Sequence, residues 1–282
     1  MTTRNAAVGA WQAYLTNRAK RHRDGRFLVH GRDAIGAAVA HDWPLETLLY
    51  RLGTPELPAW ARELLQASGA PSMGLVPELM AELAEPATGT PELVAVAKTR
   101  QPRLDGFAPG TPGDRESPVV VVIERPGSAL RLGSVIRTAD AFGAAAVVVS
   151  GTGADHYDPQ CVRASGGSLF ALPVFRVPGA GPVHDFCDRQ AGRDIPTWIV
   201  GIVTGREARA TRAVYEQDFT DATIVVIGDD AEDLGPAWRD GCDELVSIPV
   251  AGAVAAPCAA SIALYEIFRQ RRIGFAAGSG LD

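Results

Sequence analysis

Residues 118–124, PVVVVIE, constrain this chain more tightly than any other stretch. Four valines and an isoleucine in succession leave no polar face. Such a strand is buried on both sides, as in a parallel sheet covered by helices. Similar strand-like runs follow at AAAVVVS (144–150), TWIVGIV (197–203), ATIVVIG (222–228) and LVSIPV (245–250). Helical patterns stand at about 133–142 and at 259–272, where Ile262, Leu264, Tyr265, Ile267 and Phe268 make a mostly apolar set. Strands alternating with helices predict an α/β architecture with a parallel sheet.

The 282 residues suggest two domains. Ahead of the valine run, 11–24 reads as a helix, 27–31 as a strand, 32–41 as a helix and 45–51 as a strand. An amphipathic helix at 58–68, a short helix at 77–83 and a strand at 92–98 complete a small α/β unit. Residues 100–117 are rich in Pro, Gly and charge, the composition of a linker. The predicted domains are therefore 1–99 and 118–282, joined by 100–117.

A net charge of -6 excludes a molecule that captures nucleic acid over its whole surface. A local basic patch remains open, because steering depends on where charges sit. The run from Arg18 to Arg26, with Lys20, Arg21 and Arg23, offers phosphate contacts or a solvated helix face. Cys161, Cys187, Cys242 and Cys258 form no CxxC pair and have no His at metal-ligand spacing, which suits isolated reduced thiols. Asp155, His156 and Asp158 resemble metal ligands in type only; loop hydrogen bonding is the expectation, and no metal is predicted. No apolar run approaches the length of a membrane span, and the first residues lack the apolar core of a signal peptide. The expected compartment is the cytoplasm.

Three stretches carry chemistry. ERPGSALRLGSVIRTADAFG (124–143) reads as a strand-to-helix loop around Arg131, Gly133 and Arg137. Parallel sheets bind ligands at the carboxyl ends of their strands, and helix amides there favour anions. Two arginines could add bidentate phosphate contacts, or be solvated on an ordinary turn. Neither GxGxxG nor GxxxxGKS is present. VVIGDDAEDLGPAW (225–238) sets Asp229, Asp230, Glu232 and Asp233 after a strand, as a proton-handling loop or as acids complementing a helix dipole. SIPVAGAVAAPCAASIALYE (247–266) joins a strand to a helix through small residues that allow close backbone approach to a ligand or to a packed segment. Cys258 near that helix start is a candidate activated thiol or a small buried residue.

In this order the stretches resemble the SpoU/TrmH branch of the SPOUT methyltransferases, and within it the avilamycin-resistance type. The resemblance runs through Arg125-Pro126 and Gly133–Gly143, Asp158–Phe170, Ile227–Asp230, Ser247–Pro249, and Leu264–Glu266 with Arg269–Arg271. Residues 11–98 resemble the L30e-like substrate-binding domain of that branch. It implies a C-terminal SPOUT domain with a trefoil knot and helices on both faces of its sheet, a homodimer, and methyl transfer from S-adenosylmethionine to an RNA ribose 2′-hydroxyl, with rRNA preferred to tRNA.

On the matching positions it implies catalytic roles for Arg137, Asp230 and Arg131. Cofactor contacts fall to Gly201, Gly228, Ile248, Pro257 and Cys258, and RNA contacts to Arg18, Lys20, Arg21, Arg23 and Arg163. The chain departs from the pattern where Arg131 replaces an Asn, Asp229-Asp230 replace Asn-Glu, and Ala255–Cys258 replace a loop carrying Ser-Leu-Asn. All three departures fall in the cofactor and catalytic pocket. They leave two other readings open: a non-catalytic RNA- or partner-binding homologue, and an enzyme retuned to a non-RNA substrate.

Overall fold

The computed structural model describes residues 1–85, 88–112, 117–204, 211–229, 233–252 and 254–278, with side chains only to Arg272. The chain forms two compact units, one of residues 1–101 and 155–171, the other of 102–154 and 172–282. In chain order the early elements are α1 (Ala6–Thr16), α2 (Arg18–Asp24), β1 (Arg26–His30), α3 (Arg32–Ala40), β2 (Leu45–Arg51), α4 (Ala59–Ala67), β3 (Ser72–Leu75), α5 (Pro77–Ala81) and β4 (Leu93–Lys98). They are followed by β5 (Val119–Glu124), α6 (Ala129–Ala141), β6 (Ala146–Ser150), α7 (Pro159–Ala164), α8 (Ser168–Ala171), β7 (Val174–Val177), α9 (Gly181–Ala191) and β8 (Thr197–Val203). The last are β9 (Arg212–Ala213), β10 (Ala222–Ile227), α10 (Pro236–Arg239), β11 (Glu244–Ser247) and α11 (Ala256–Gly278).

The first unit is built on a sheet ordered β1-β4-β2-β3. β4 lies antiparallel to β1 and to β2, and β3 runs parallel to β2. Leu93 to Ala97 are all buried, so this central strand carries no solvent face. The helix expected over 11–24 is two helices. Asn17 takes an extended conformation, and its side chain accepts the Lys20 amide at 2.9 Å. Asn competes with the helix for its own backbone and favours such a cap.

Residues 155–171, expected in the second domain, belong to the first unit. The Phe170 ring sits 5.1 Å from Trp43, and the Tyr157 ring 4.5 Å from Phe27. Gly167 has φ +101°, and a Cβ there would lie 2.7 Å from the Ala37 methyl, so close packing of α8 on α3 requires glycine.

The second unit carries a seven-stranded sheet, ordered β7-β6-β5-β10-β8-β11-β9, with every pairing parallel. This is the arrangement the valine run demands. Val120, Val122, Ile224 and Val226 pack with Val183, Phe186 and Trp238 on one face. The alternating Val121, Ile123, Val225 and Ile227 are equally buried on the other, along which α6 and α11 pack together.

The stretch with linker composition is partly built in. Leu104 joins the core of this unit, the Phe107 ring lies 4.9 Å from Phe175, and Gln190 donates to the Pro109 carbonyl at 3.0 Å. The strand expected over 245–250 ends at Ser247, and the last helix begins at Ala256 rather than Ala259.

Candidate active site at the carboxyl ends of the strands

β5, β10, β8 and β11 are neighbours, so the loops that leave them gather at one end of the sheet. The loop after β5 is clamped from both sides. Arg125 has φ +46°, and its amide donates to the Ser150 carbonyl at 2.8 Å. Ala154 donates to the Pro126 carbonyl at 2.6 Å. A Cβ on Gly127 would lie 2.7 Å from an Asp229 carboxylate oxygen, so the glycine lets the loop after β10 approach. Glu124, only 8% exposed, accepts the Gly235 amide at 2.7 Å and ties the far end of that second loop to β5. Sequence reasoning did not single out Glu124; its signal was one carboxylate ending an otherwise apolar strand.

Ser128 caps α6, its hydroxyl accepting the Arg131 amide at 3.4 Å. Arg131 therefore stands in the first turn of a helix rather than in a loop, and Gly133 and Arg137 lie further along that helix, where the helical pattern from about 133 predicted them. Gly133 is buried, whereas Arg131 and Arg137 are exposed. Arg137 makes no hydrogen bond or ion pair among the described residues.

Gly228 follows β10 and is buried under its own loop: a Cβ there would lie 2.8 Å from the Asp233 carbonyl carbon. Ile248, at 5% exposure, follows β11 directly. Pro257 and Cys258 open α11, where Cys258 is exposed, not the buried residue that packing alone would suggest. Gly201 lies within β8, paired with Val226 and Leu245; the space of its missing side chain is filled by Leu234, Leu245 and Cys242. Asp230 and Glu232 lie outside the described residues. Among the described residues no cluster of His, Cys, Asp or Glu fits a metal ion.

The basic positions of the first unit divide. Arg18 and Arg23 are exposed, and Lys20 pairs with Asp24 at 2.9 Å. Arg163 is exposed, with its guanidinium on the buried Glu85 carboxylate. Arg21 corrects the sequence reading. It is 1% exposed, pairs with Asp155 at 2.9 Å and with Asp158 at 3.1 Å, and donates to the Tyr14 carbonyl at 2.8 Å. A guanidinium so enclosed is not available to RNA. Asp155 and Asp158 are thus partners of an arginine.

The fold and this site define a class. The SpoU L30e-like domain matches residues 5–95 and the SpoU rRNA Methylase family matches 118–265, and the chain belongs to that family. Among its relatives is the 23S rRNA (uridine(2479)-2′-O)-methyltransferase of Streptomyces viridochromogenes, 43% identical over 97% of this chain and 93% of its own. The crystal structure of the SpoU methyltransferase AviRb from the same organism, in complex with the cofactor AdoMet, aligns over 95% of this chain and 99% of its own, at TM-score 0.87 and 43% identity. A 23S rRNA (guanosine-2′-O-)-methyltransferase of Haemophilus influenzae is 30% identical over 56% of this chain and 62% of its own.

Proposed function

We propose that this protein transfers a methyl group from S-adenosylmethionine to a ribose 2′-hydroxyl of RNA, with rRNA preferred to tRNA. The observation that carries this reading is the likeness to the Streptomyces viridochromogenes enzyme, which spans both units.

The residues present fit the cofactor. β8, β10 and β11 end side by side at Val203, Ile227 and Ser247, and just past them stand Gly228, which lets the Asp233 backbone close against the strand end, and the apolar Ile248. Gly228 and Ile248, with Pro257 and Cys258 at the start of α11, would hold S-adenosylmethionine, which supplies an electrophilic methyl on a sulfonium. Transfer needs oxygen, methyl carbon and sulfur in line, so positioning supplies much of the rate.

Arg137 is the residue to do it. A guanidinium carries five N–H donors and no acceptor, so it is a donor rather than a base. Its role is to hold an RNA phosphate beside the reacting hydroxyl in a bidentate grip. The exposed Arg18, Arg23 and Arg163, with the half-buried Lys20, supply phosphate contacts on the first unit; Arg21 is no longer among them.

A homodimer through the second unit, a trefoil knot in its sheet and a cytoplasmic location complete the proposal. Exposed Leu130 on α6 and Ile262 and Tyr265 on α11, at 50%, 36% and 56%, are apolar surface that a second copy would cover. No helix among the described residues is long and apolar enough to cross a membrane.

Calorimetric titration with S-adenosylmethionine tests the reading first. Saturable binding followed by methylation of rRNA supports it. No binding at millimolar cofactor favours the non-catalytic homologue, and binding without transfer to any RNA favours an enzyme with a different substrate.

A further inference from the structure

The second unit holds a groove that methyl transfer does not use. It has a volume of about 390 Å³, within the range of small-ligand sites. One wall is a single face of α9, presenting His184, Cys187, Asp188 and Ala191 at helical spacing. The other is the start of β8, from Pro196 to Ile199, with Gly241 and Asp243 of the turn before β11. These are the amino ends of the strands. Gly228, Ile248 and the loop after β5 lie at the opposite, carboxyl end.

The lining has one sign of charge. Asp188 and Asp243 are exposed and form no ion pair among the described residues, and no Lys or Arg lines the groove. Asp243 is held in place: one carboxylate oxygen accepts the Ile199 amide at 2.7 Å, and its own amide donates to the Ile199 carbonyl at 2.8 Å. Both carboxylates act on the Cys187 thiol. Burial first, and then Asp243 and Asp188, push that thiol up to about 12, so it is neutral. Trp198 stands at the rim with 48% of its surface exposed, although it is the second residue of a strand of the core sheet. Gly241 is required where it is, because a Cβ there would lie 2.5 Å from the His184 ring.

Two carboxylates repel phosphate, so the groove is unsuited to RNA. A half-exposed indole, two carboxylates of which Asp243 is held in place, and apolar stem room at Ala191 and Pro196 are what a cation on an alkyl chain needs. We propose that this groove binds an alkylammonium group, presented either by a free polyamine or by a lysine side chain of a protein partner. The indole face takes the cation, Asp188 and Asp243 neutralise it, and the groove between α9 and β8 takes the methylene stem.

Calorimetric titration of the full chain with spermidine, and separately with a tetralysine peptide, tests this at low salt. Saturable binding is expected for at least one probe, weakened about tenfold in Asp188→Asn and in Trp198→Ala, with S-adenosylmethionine binding unchanged in both variants. Spermidine binding alone identifies a free polyamine as the source, and peptide binding alone a protein lysine. No saturable binding of either probe at 10 mM, to order of magnitude the weakest specific range, would overturn the proposal. So would equal binding by the wild type and both variants. Because cofactor binding is read separately, failure here is distinguishable from failure of the methyl-transfer reading.

Discussion

Arg21 and Arg137 make an instructive pair. Each lies on a helix beside other basic or polar residues, and each is a candidate phosphate contact by type. In the folded protein Arg21 is sealed between α1, α2 and the 155–158 segment, with its charge neutralised by Asp155 and Asp158. Arg137 projects from α6 with no partner among the described residues. One cation maintains the first unit; the other is available to a ligand. A basic residue in sequence becomes a site only when its charged end is still reachable from solvent in the fold, and that depends on elements far away in the chain. For Arg21 the deciding residues lie more than a hundred positions further on.

The comparison can be broken or sharpened experimentally. The largest effect should come from Arg137→Ala. Loss of a positioning donor at a reacting centre commonly costs about 100-fold or more in turnover, and melting of the protein should not change. Full turnover measured by radiolabelled methyl incorporation would remove Arg137 from the mechanism.

Arg21→Met should do the reverse. It leaves Asp155 buried without its partner, at a cost of roughly 3–5 kcal/mol in chemical denaturation of the first unit. Cofactor binding in the second unit should persist below the new transition. Weakened RNA affinity without loss of stability would restore Arg21 as a contact residue.

A smaller effect concerns acid stability. Burial alone would raise the Asp155 pKa, but the Arg21 charge, the Tyr157 amide and the Arg21 hydrogen bond outweigh it and hold the carboxyl below its ordinary 3.8. The unfolded chain therefore binds this proton more readily than the folded one. The stabilisation is present above about pH 4 and is lost as pH falls through the lowered value. Arg21→Met should flatten that acid limb of the stability curve; an unchanged limb would assign it to other groups.

The smallest effect is expected from Arg131→Asn. It restores the residue type that the family resemblance expects at this position, and cofactor binding should tighten by roughly fivefold, equivalent to about 1 kcal/mol. Weaker binding in the variant would make Arg131 part of the cofactor site.

Much of this was legible in the sequence. The strands buried on both faces announced themselves through unbroken Val and Ile, and the parallel sheet followed from them. The misses have physical causes. β3, Ser-Met-Gly-Leu, is a four-residue edge strand with Met73 exposed, so it carries neither length nor alternation. α9 includes Asp185, Asp188 and Arg189 and buries only Val183, Phe186 and Gln190, a stripe too sparse to stand out. The place of 155–171 in the first unit depends on tertiary contacts of Tyr157 and Phe170 that no local pattern encodes. At the site, Gly127 read as one residue of a loop and Gly228 as a cofactor contact implied by the resemblance. Only the approach of Asp229 and of the Asp233 backbone shows why a side chain is excluded at each.

The most direct test of the central claim is the chemical position of the transferred methyl. Purified protein, methyl-labelled S-adenosylmethionine and rRNA would be incubated together, and the RNA hydrolysed in alkali. Alkaline cleavage needs a free 2′-hydroxyl, so ribose methylation should leave the label in one alkali-resistant dinucleotide, and Arg137→Ala should abolish it. Label recovered on a base in mononucleotides, or no label despite bound cofactor, would contradict the account.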